Sequence, residues 1–229
     1  MESLGIFLII FNLLTLSGLW IYFIINSKRR GLDFPWTFIL VIIGRMVIGV
    51  NIGFNLGKIN IYVYLLFLLL GCFFYHERRH LGDYFINRHN LLRSIGIGLC
   101  IGVLFFLVFR IVGYNLLSVP SSEKVNFWHF ASNVLKIVLG EELLFRGCLL
   151  GYIRKNDIAY LYANSIQSIL FTVGHLQRYL NSGDFLTLFL VLIFGFISGT
   201  ITWKLENIAG AVMMHGVVTG IFGAMMVFL

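Results

Sequence analysis

Gly140-Glu141-Glu142-Leu143-Leu144-Phe145-Arg146-Gly147 sets two adjacent carboxylates and a guanidinium inside an apolar segment running from about residue 126 to 153. A charge at a bilayer centre costs ~2.5–3.5 kcal/mol on insertion scales, so residues of this kind serve chemistry, transport or a specific ion pair. Residues four apart on a helix are neighbours, which lets Glu142 pair with Arg146. Glu141 is rotated ~100° from Glu142 and lies five positions from the arginine, so it is the worse partner. The spacing therefore divides the carboxylates by role. Glu142 is structural, held by Arg146. Glu141 is left desolvated beside a like charge, as a general base or acid would be. The bland alternative is a buried charge network that only fixes helix packing.

The chain has six histidines. His76, His80 and His89 fall in a basic loop, and His129 at the outer end of a span. Only His175, ending Phe171-Thr-Val-Gly-His175, and His215, in Met213-Met-His-Gly-Val-Val-Thr219, lie within spans. A lone histidine in a membrane helix is more often a packed residue than a ligand. Two of them on two helices, with a diglutamate on a third, shift that balance towards a site. Thr219 is one helical turn beyond His215 and places its hydroxyl on the same face. Small residues around them (Gly174, Gly210, Gly216, Gly220, with Gly195 and Gly199) permit close helix approach and leave room for a cavity.

The set Glu141-Glu142-x-x-x-Arg146, then Phe171-x-x-x-His175, then His215 in a final helix resembles the CAAX protease and bacteriocin-processing (CPBP, or Abi) family of intramembrane proteases. The resemblance covers roughly residues 126–229, and the first four helices carry no matching motif. It implies peptide-bond hydrolysis by activated water, in bacteriocin or peptide maturation or in self-immunity. Carried over by motif, Glu141 with His175 would activate the water, and Glu142 with Arg146 would hold Glu141. His215 and Thr219 would stabilise the developing oxyanion. The family's last motif is usually His-x-x-x-Asn, whereas this chain has His215-x-x-x-Thr219. The family is commonly called a metalloprotease. Glu141, His175 and His215 would supply the three protein ligands of a catalytic zinc. No His-Glu-x-x-His is present, and a metal-free glutamate–histidine reading explains the same residues.

The elements that must position these groups are helices in a membrane. Of 229 residues, 59% are hydrophobic and 12% charged, about half the charged fraction of a soluble domain. Long unbroken apolar runs replace the alternation of a β-barrel. The expected fold is all-α, a multi-pass protein with about eight spans near residues 4–26, 35–57, 60–76, 94–118, 126–150, 158–179, 184–203 and 207–228. The third is short, with a tight junction at Gly57-Lys58-Ile59-Asn60; six or seven spans and a re-entrant element are the alternative. The segment Ser118–Val125 divides N-terminal helices (1–125) from a four-helix catalytic core (126–229). Residues His76 to Arg93 form the longest polar stretch, expected to be an interfacial helix.

Charge distribution sets orientation. Lys28, Arg29, Arg30, Arg78, Arg79, Arg88, Arg93, Arg154, Lys155 and Lys204 follow odd-numbered spans; Lys58, Lys124 and Arg178 lie on the other side. The larger group is expected to be cytoplasmic, with both termini outside. The +7 net charge is thus a topology signal with contact to anionic lipid as a by-product, and no motif supports nucleic-acid binding. Arg110 and Lys136 snorkel, whereas Arg45, mid-span, pairs structurally or approaches the diglutamate. Trp20, Trp36, Trp128 and Trp203 lie near span ends. Cys72, Cys100 and Cys148 read as small core hydrophobes.

Three functions compete. The first is an intramembrane endopeptidase of a peptide or protein substrate in a bacterial cell membrane. The second is a non-catalytic immunity or regulatory partner, motivated by Thr219. The third is a proton-coupled transporter using Glu141 and His175 as a relay, ranked last because no internal repeat is visible.

Overall fold

Apolar outside and polar inside is the pattern of the computed structural model, which describes Ile21, Ile25 and residues 55–56, 59–78, 80–116, 138–175, 183 and 185–221. Along α2 (Leu91–Leu116), Leu99, Val103, Leu104, Leu107, Val108 and Ile111 are exposed. Glu142, Arg146, Asn164, Gln167 and Ser198 are completely buried. Water would reverse that arrangement, and lipid favours it.

The regular secondary structure of the described residues is helical apart from one pairing, Asn55–Leu56 antiparallel to Ile59–Asn60, which flanks the expected tight junction. Helix α1 is Ile61–His76. The diglutamate helix, α3, runs as α-helix over Leu139–Glu142, widens to a π-helix over Leu143–Leu149 and closes as α-helix over Leu150–Lys155. Then follow α4 (Tyr160–Val173), α5 (Phe185–Leu205) and α6 (Ala209–Gly216), which continues as a π-helix over Val217–Ile221. Among the described residues, two helices are long and apolar enough to cross a membrane, Leu91–Phe109 and Phe185–Leu205, with a shorter apolar helix at Ala209–Thr219. Four more of the eight expected spans correspond to the shorter or interrupted helices α1, α3, α4 and α6, so the count of eight is not established. Most of the first two spans, with Trp20, Lys28, Arg29, Arg30, Trp36, Arg45 and Lys58, lies outside the described residues. So do Arg79, the segment Ser118–Val125, Trp128, His129, Lys136, Arg178 and the side chain of Arg110.

Helix α5 is the hub, packed against α2, α4 and α6. Small residues set the spacing. A methyl group on Gly98 of α2 would collide with the Gly210 carbonyl of α6, so the two backbones touch there. Ser94 Oγ clasps the same junction, accepting from Gly210 N (2.8 Å) and donating to Asn207 O (3.1 Å).

Two expectations change. The polar stretch His76–Arg93 is not an interfacial helix along its length. It holds one 3₁₀ turn, Leu81–Tyr84, and then reverses at Phe85 (φ 60°). The reason is burial: Tyr84 and Phe85 are inserted into the core. The segment is then tied to the α5–α6 turn. Asn207 Nδ2 donates to Asn87 O (2.8 Å) and His89 O (2.9 Å), Asn87 Nδ2 to Glu206 O (2.8 Å), and Ile208 N to Phe85 O (3.0 Å). Of the cysteines, only Cys148 is a core residue; Cys72 and Cys100 are exposed on helix faces, where lipid accepts a thiol as readily as a core does.

Candidate active site

The site begins with the helix that carries the glutamates. Glu142 and Arg146, four apart, pair at 3.0 Å with both side chains fully buried. The Glu142 carboxylate is held from three directions. Oε1 accepts from Arg146 Nη1 (3.0 Å) and from His215 Nδ1 (2.7 Å), and Oε2 accepts from Ser198 Oγ (3.3 Å). Hydrogen bonds to a charged group each contribute about 1.5–3 kcal/mol, so this carboxylate is anchored in place. Arg146 is anchored in turn. Nη2 donates to Gly195 O (3.4 Å), and the guanidinium lies 4.2 Å over the Phe171 ring, a contact of about 2 kcal/mol when desolvated.

Glu141 differs. It is 4% exposed, and its Oε2 is buried without a hydrogen-bond partner. His215 Nε2 lies 3.9 Å from Oε2. That is too long for a hydrogen bond and leaves room for a third group to touch both. A carboxylate can only accept from Nδ1, so Glu142 fixes which face of the imidazole points away from it. Nε2 is thereby turned to Glu141.

His175 sits in the turn just past α4 and is half-buried. Its Nδ1 lies 2.9 Å from Phe171 O; a carbonyl only accepts, so Nδ1 carries the hydrogen. The ring packs 4.7 Å from Phe171, and His215 packs 6.1 Å from the same ring. Phe171 is thus the common floor of Arg146, His175 and His215. Thr219 is half-buried in the π-helix one turn beyond His215. The structure therefore brings Glu141, Glu142, Arg146 and His215 into one cluster, and His175 joins through Phe171. Thr219 shares the segment of His215 without being one of the described contacts.

Ser198 and Gln167 were not singled out by sequence reasoning, and Phe171 entered it only as part of the Phe171-x-x-x-His175 motif. A signal existed: Asn164, Gln167 and Ser168 place three polar groups on one face of an apolar helix. Ser198 stands between Gly195 and Gly199 on a helix whose one charged residue, Lys204, lies in its last turn.

A catalytic zinc takes three protein ligands. Among the described residues, no three His, Cys, Asp or Glu side chains share such a point. Both oxygens of Glu142 are already engaged, which leaves Glu141 and His215 as the facing pair. The set Glu141, His175 and His215 does not assemble a three-ligand centre in this arrangement.

Comparison with curated proteins and with solved structures finds no match for the chain. A family model does match: the one described as type II CAAX prenyl endopeptidase Rce1-like, over residues 123–221. That interval, somewhat less than half of the chain, contains Glu141, Glu142, Arg146, His175, His215 and Thr219, and over it the match supports the CPBP family, by way of its Rce1-like model.

Proposed function

We propose that the chain is an intramembrane endopeptidase that hydrolyses a peptide bond of a peptide or protein substrate, using water activated by glutamate and histidine rather than by a resident metal. The observation that carries this reading is the contrast between two adjacent carboxylates. Glu142 is saturated with donors, whereas Glu141 holds a buried oxygen with no partner, 3.9 Å from an oriented imidazole. A packing device needs only the first of these.

In the proposed reaction, Glu141 takes a proton from water as the oxygen attacks the scissile carbonyl carbon. His175, with its Nδ1 hydrogen committed to Phe171 O, offers Nε2 to the same water. The carbonyl oxygen gains negative charge and accepts from His215 Nε2–H, which requires the doubly protonated ring whose other hydrogen, on Nδ1, is held by Glu142 Oε1; Thr219 follows one turn on. Collapse breaks the C–N bond, and the proton held by Glu141 passes to the leaving amine. Glu142 and Arg146 touch no reacting atom and fix the imidazole and the helix.

The matched family, type II CAAX prenyl endopeptidase Rce1-like, makes a peptide bond near a prenylated C-terminus one substrate class; a leader-bearing bacteriocin-type peptide is the other. The basic residues at the bundle end that holds Arg78, Arg88, Arg154 and Lys204 mark the cytoplasmic side of a bacterial cell membrane on this reading. The test is to compare peptide termini by mass spectrometry in membranes carrying the wild type, Glu141→Gln or His175→Ala. A terminus produced only by the wild type supports the reading, and identical termini in all three refute it. A second reading, a non-catalytic immunity or regulatory partner, is favoured by Thr219 at the position of the family asparagine. It predicts that protection or signalling survives Glu141→Gln.

A further inference from the structure

Helices α4 and α5 carry none of the charged site residues, yet both reach the glutamate centre with buried polar groups. From α5, Ser198 Oγ supplies the only described donor to Glu142 Oε2, at 3.3 Å. From α4, Gln167 Nε2 donates to Gly195 O at 2.9 Å, and Arg146 Nη2 points at that same carbonyl at 3.4 Å. Gln167 Nε2 also lies 2.8 Å from Asn164 Oδ1 and 2.8 Å from Ser168 Oγ. Ser168 Oγ gives its own hydrogen to Asn164 O at 2.7 Å, so all three neighbours of Nε2 are acceptors. The amide orientation is therefore fixed, and Oε1 is left buried with no hydrogen-bond partner. An unmatched buried carbonyl is costly, and leucine would fill the same space without that cost. A residue serving only to pack α4 on α5 would not need the amide. Helix α5 is shaped to receive it, because a methyl on Gly199 would collide with Asn164 Oδ1 and crowd Gln167 Nε2.

Resting on the peptidase reading above, we infer that Gln167 and Ser198 are positioning residues, which set the Glu142–Arg146 pair and through it the direction of His215 Nε2 towards Glu141. Ser198 holds the carboxylate oxygen that neither Arg146 nor His215 reaches. Gln167 holds the carbonyl on which Arg146 rests. His215 then follows Glu142, since its Nδ1 hydrogen is bound to Oε1.

The test uses the full chain in detergent micelles, labelled with ¹⁵N-histidine. The ring signals of His215 are assigned by their loss in His215→Gln, and each variant's melting temperature is recorded. Ser198→Ala and Gln167→Leu are compared with Thr202→Val, which removes a buried hydroxyl from α5 one turn beyond Ser198 whose described bond goes to Ser198 O. The expected result is a displaced or broadened Nδ1–H signal of His215 in Ser198→Ala and Gln167→Leu, and a wild-type signal in Thr202→Val. On any peptide that the wild type cleaves, kcat falls on the order of tenfold or more in the first two, with KM little changed. A His215 signature identical to wild type in folded Ser198→Ala overturns the inference. That arm needs no substrate, so absence of cleavage by the wild type would count against the peptidase reading while the spectrum still decides this one. If Gln167→Leu does not fold, Ser198→Ala, the loss of one oxygen, carries the decision.

Discussion

Glu142 and Arg146 are a fully buried ion pair, and such pairs behave asymmetrically on mutation. Arg146→Leu strands a carboxylate and should cost roughly 3–5 kcal/mol, read as a large drop in melting temperature and in membrane accumulation. Glu142→Leu combined with Arg146→Leu should restore most of that stability, because an apolar pair of similar volume packs without desolvation cost. It should not restore cleavage, since His215 loses the acceptor of its Nδ1 hydrogen. Recovery of both would show the pair to be dispensable. The Glu142–Arg146 contact was legible in the sequence because a spacing of four is enough to specify it. The bond from His215 to Glu142 was not, since it depends on how α6 is rotated against α3. Ser198 and Gln167 were hidden for a related reason: a single hydroxyl or amide in an apolar helix has no period to betray it.

At the scale of elements, both π-helical stretches directly follow site residues, Leu143–Leu149 after the diglutamate and Val217–Ile221 after His215. Single π turns recur at functional sites because they rotate the following residues out of the α-helical register. This is also why a plain helical wheel places Arg146 and Thr219 only approximately. The approach of α2 to α6 is equally specific. Gly98→Leu forces a side chain against the Gly210 carbonyl and should cost about 1–3 kcal/mol through backbone displacement, measured by thermal unfolding in detergent. Because α6 carries His215, activity should fall further than stability does. A variant that melts and cleaves like the wild type would mean that this contact does not position the histidine. The glycines were visible in the sequence, but which pairs meet across the helices was not.

At the scale of the molecule, one end of the bundle is fastened by side chains from widely separated parts of the chain. Lys155 pairs with Glu77 (3.1 Å) and Arg154 with Glu206 (2.6 Å), while Asn207 bridges the loop before α2 to the turn before α6. Beside that pair, burial and then the Glu77 carboxylate push the Tyr84 hydroxyl well above the ordinary phenol range. The Arg154 pair is partly exposed and is worth at most ~1 kcal/mol. Asn207 Oδ1 also accepts from Ala209 N at 2.9 Å, at the start of α6. Asn207→Leu should therefore cost about 2 kcal/mol or more, against little for Glu206→Gln, in the same melting assay. The clasp puts Arg78, Arg154 and Lys204 at a common end. Cysteines placed there in a chain lacking Cys72, Cys100 and Cys148 should react with an impermeant thiol reagent only after the membrane is opened. The helical, membrane-type character was readable from composition, and the Glu142–Arg146 pair from its spacing. The docking of Tyr84 and Phe85 was not, because a polar stretch conceals the two residues that fold inward. The central claim is that Glu141, and not merely a buried charge network, carries a reaction. The most direct measurement is cleavage by purified Glu141→Gln beside its melting temperature. The account predicts loss of the product terminus, with stability unchanged or raised as a buried unpaired carboxylate becomes a neutral amide. Undiminished cleavage in that variant would contradict it.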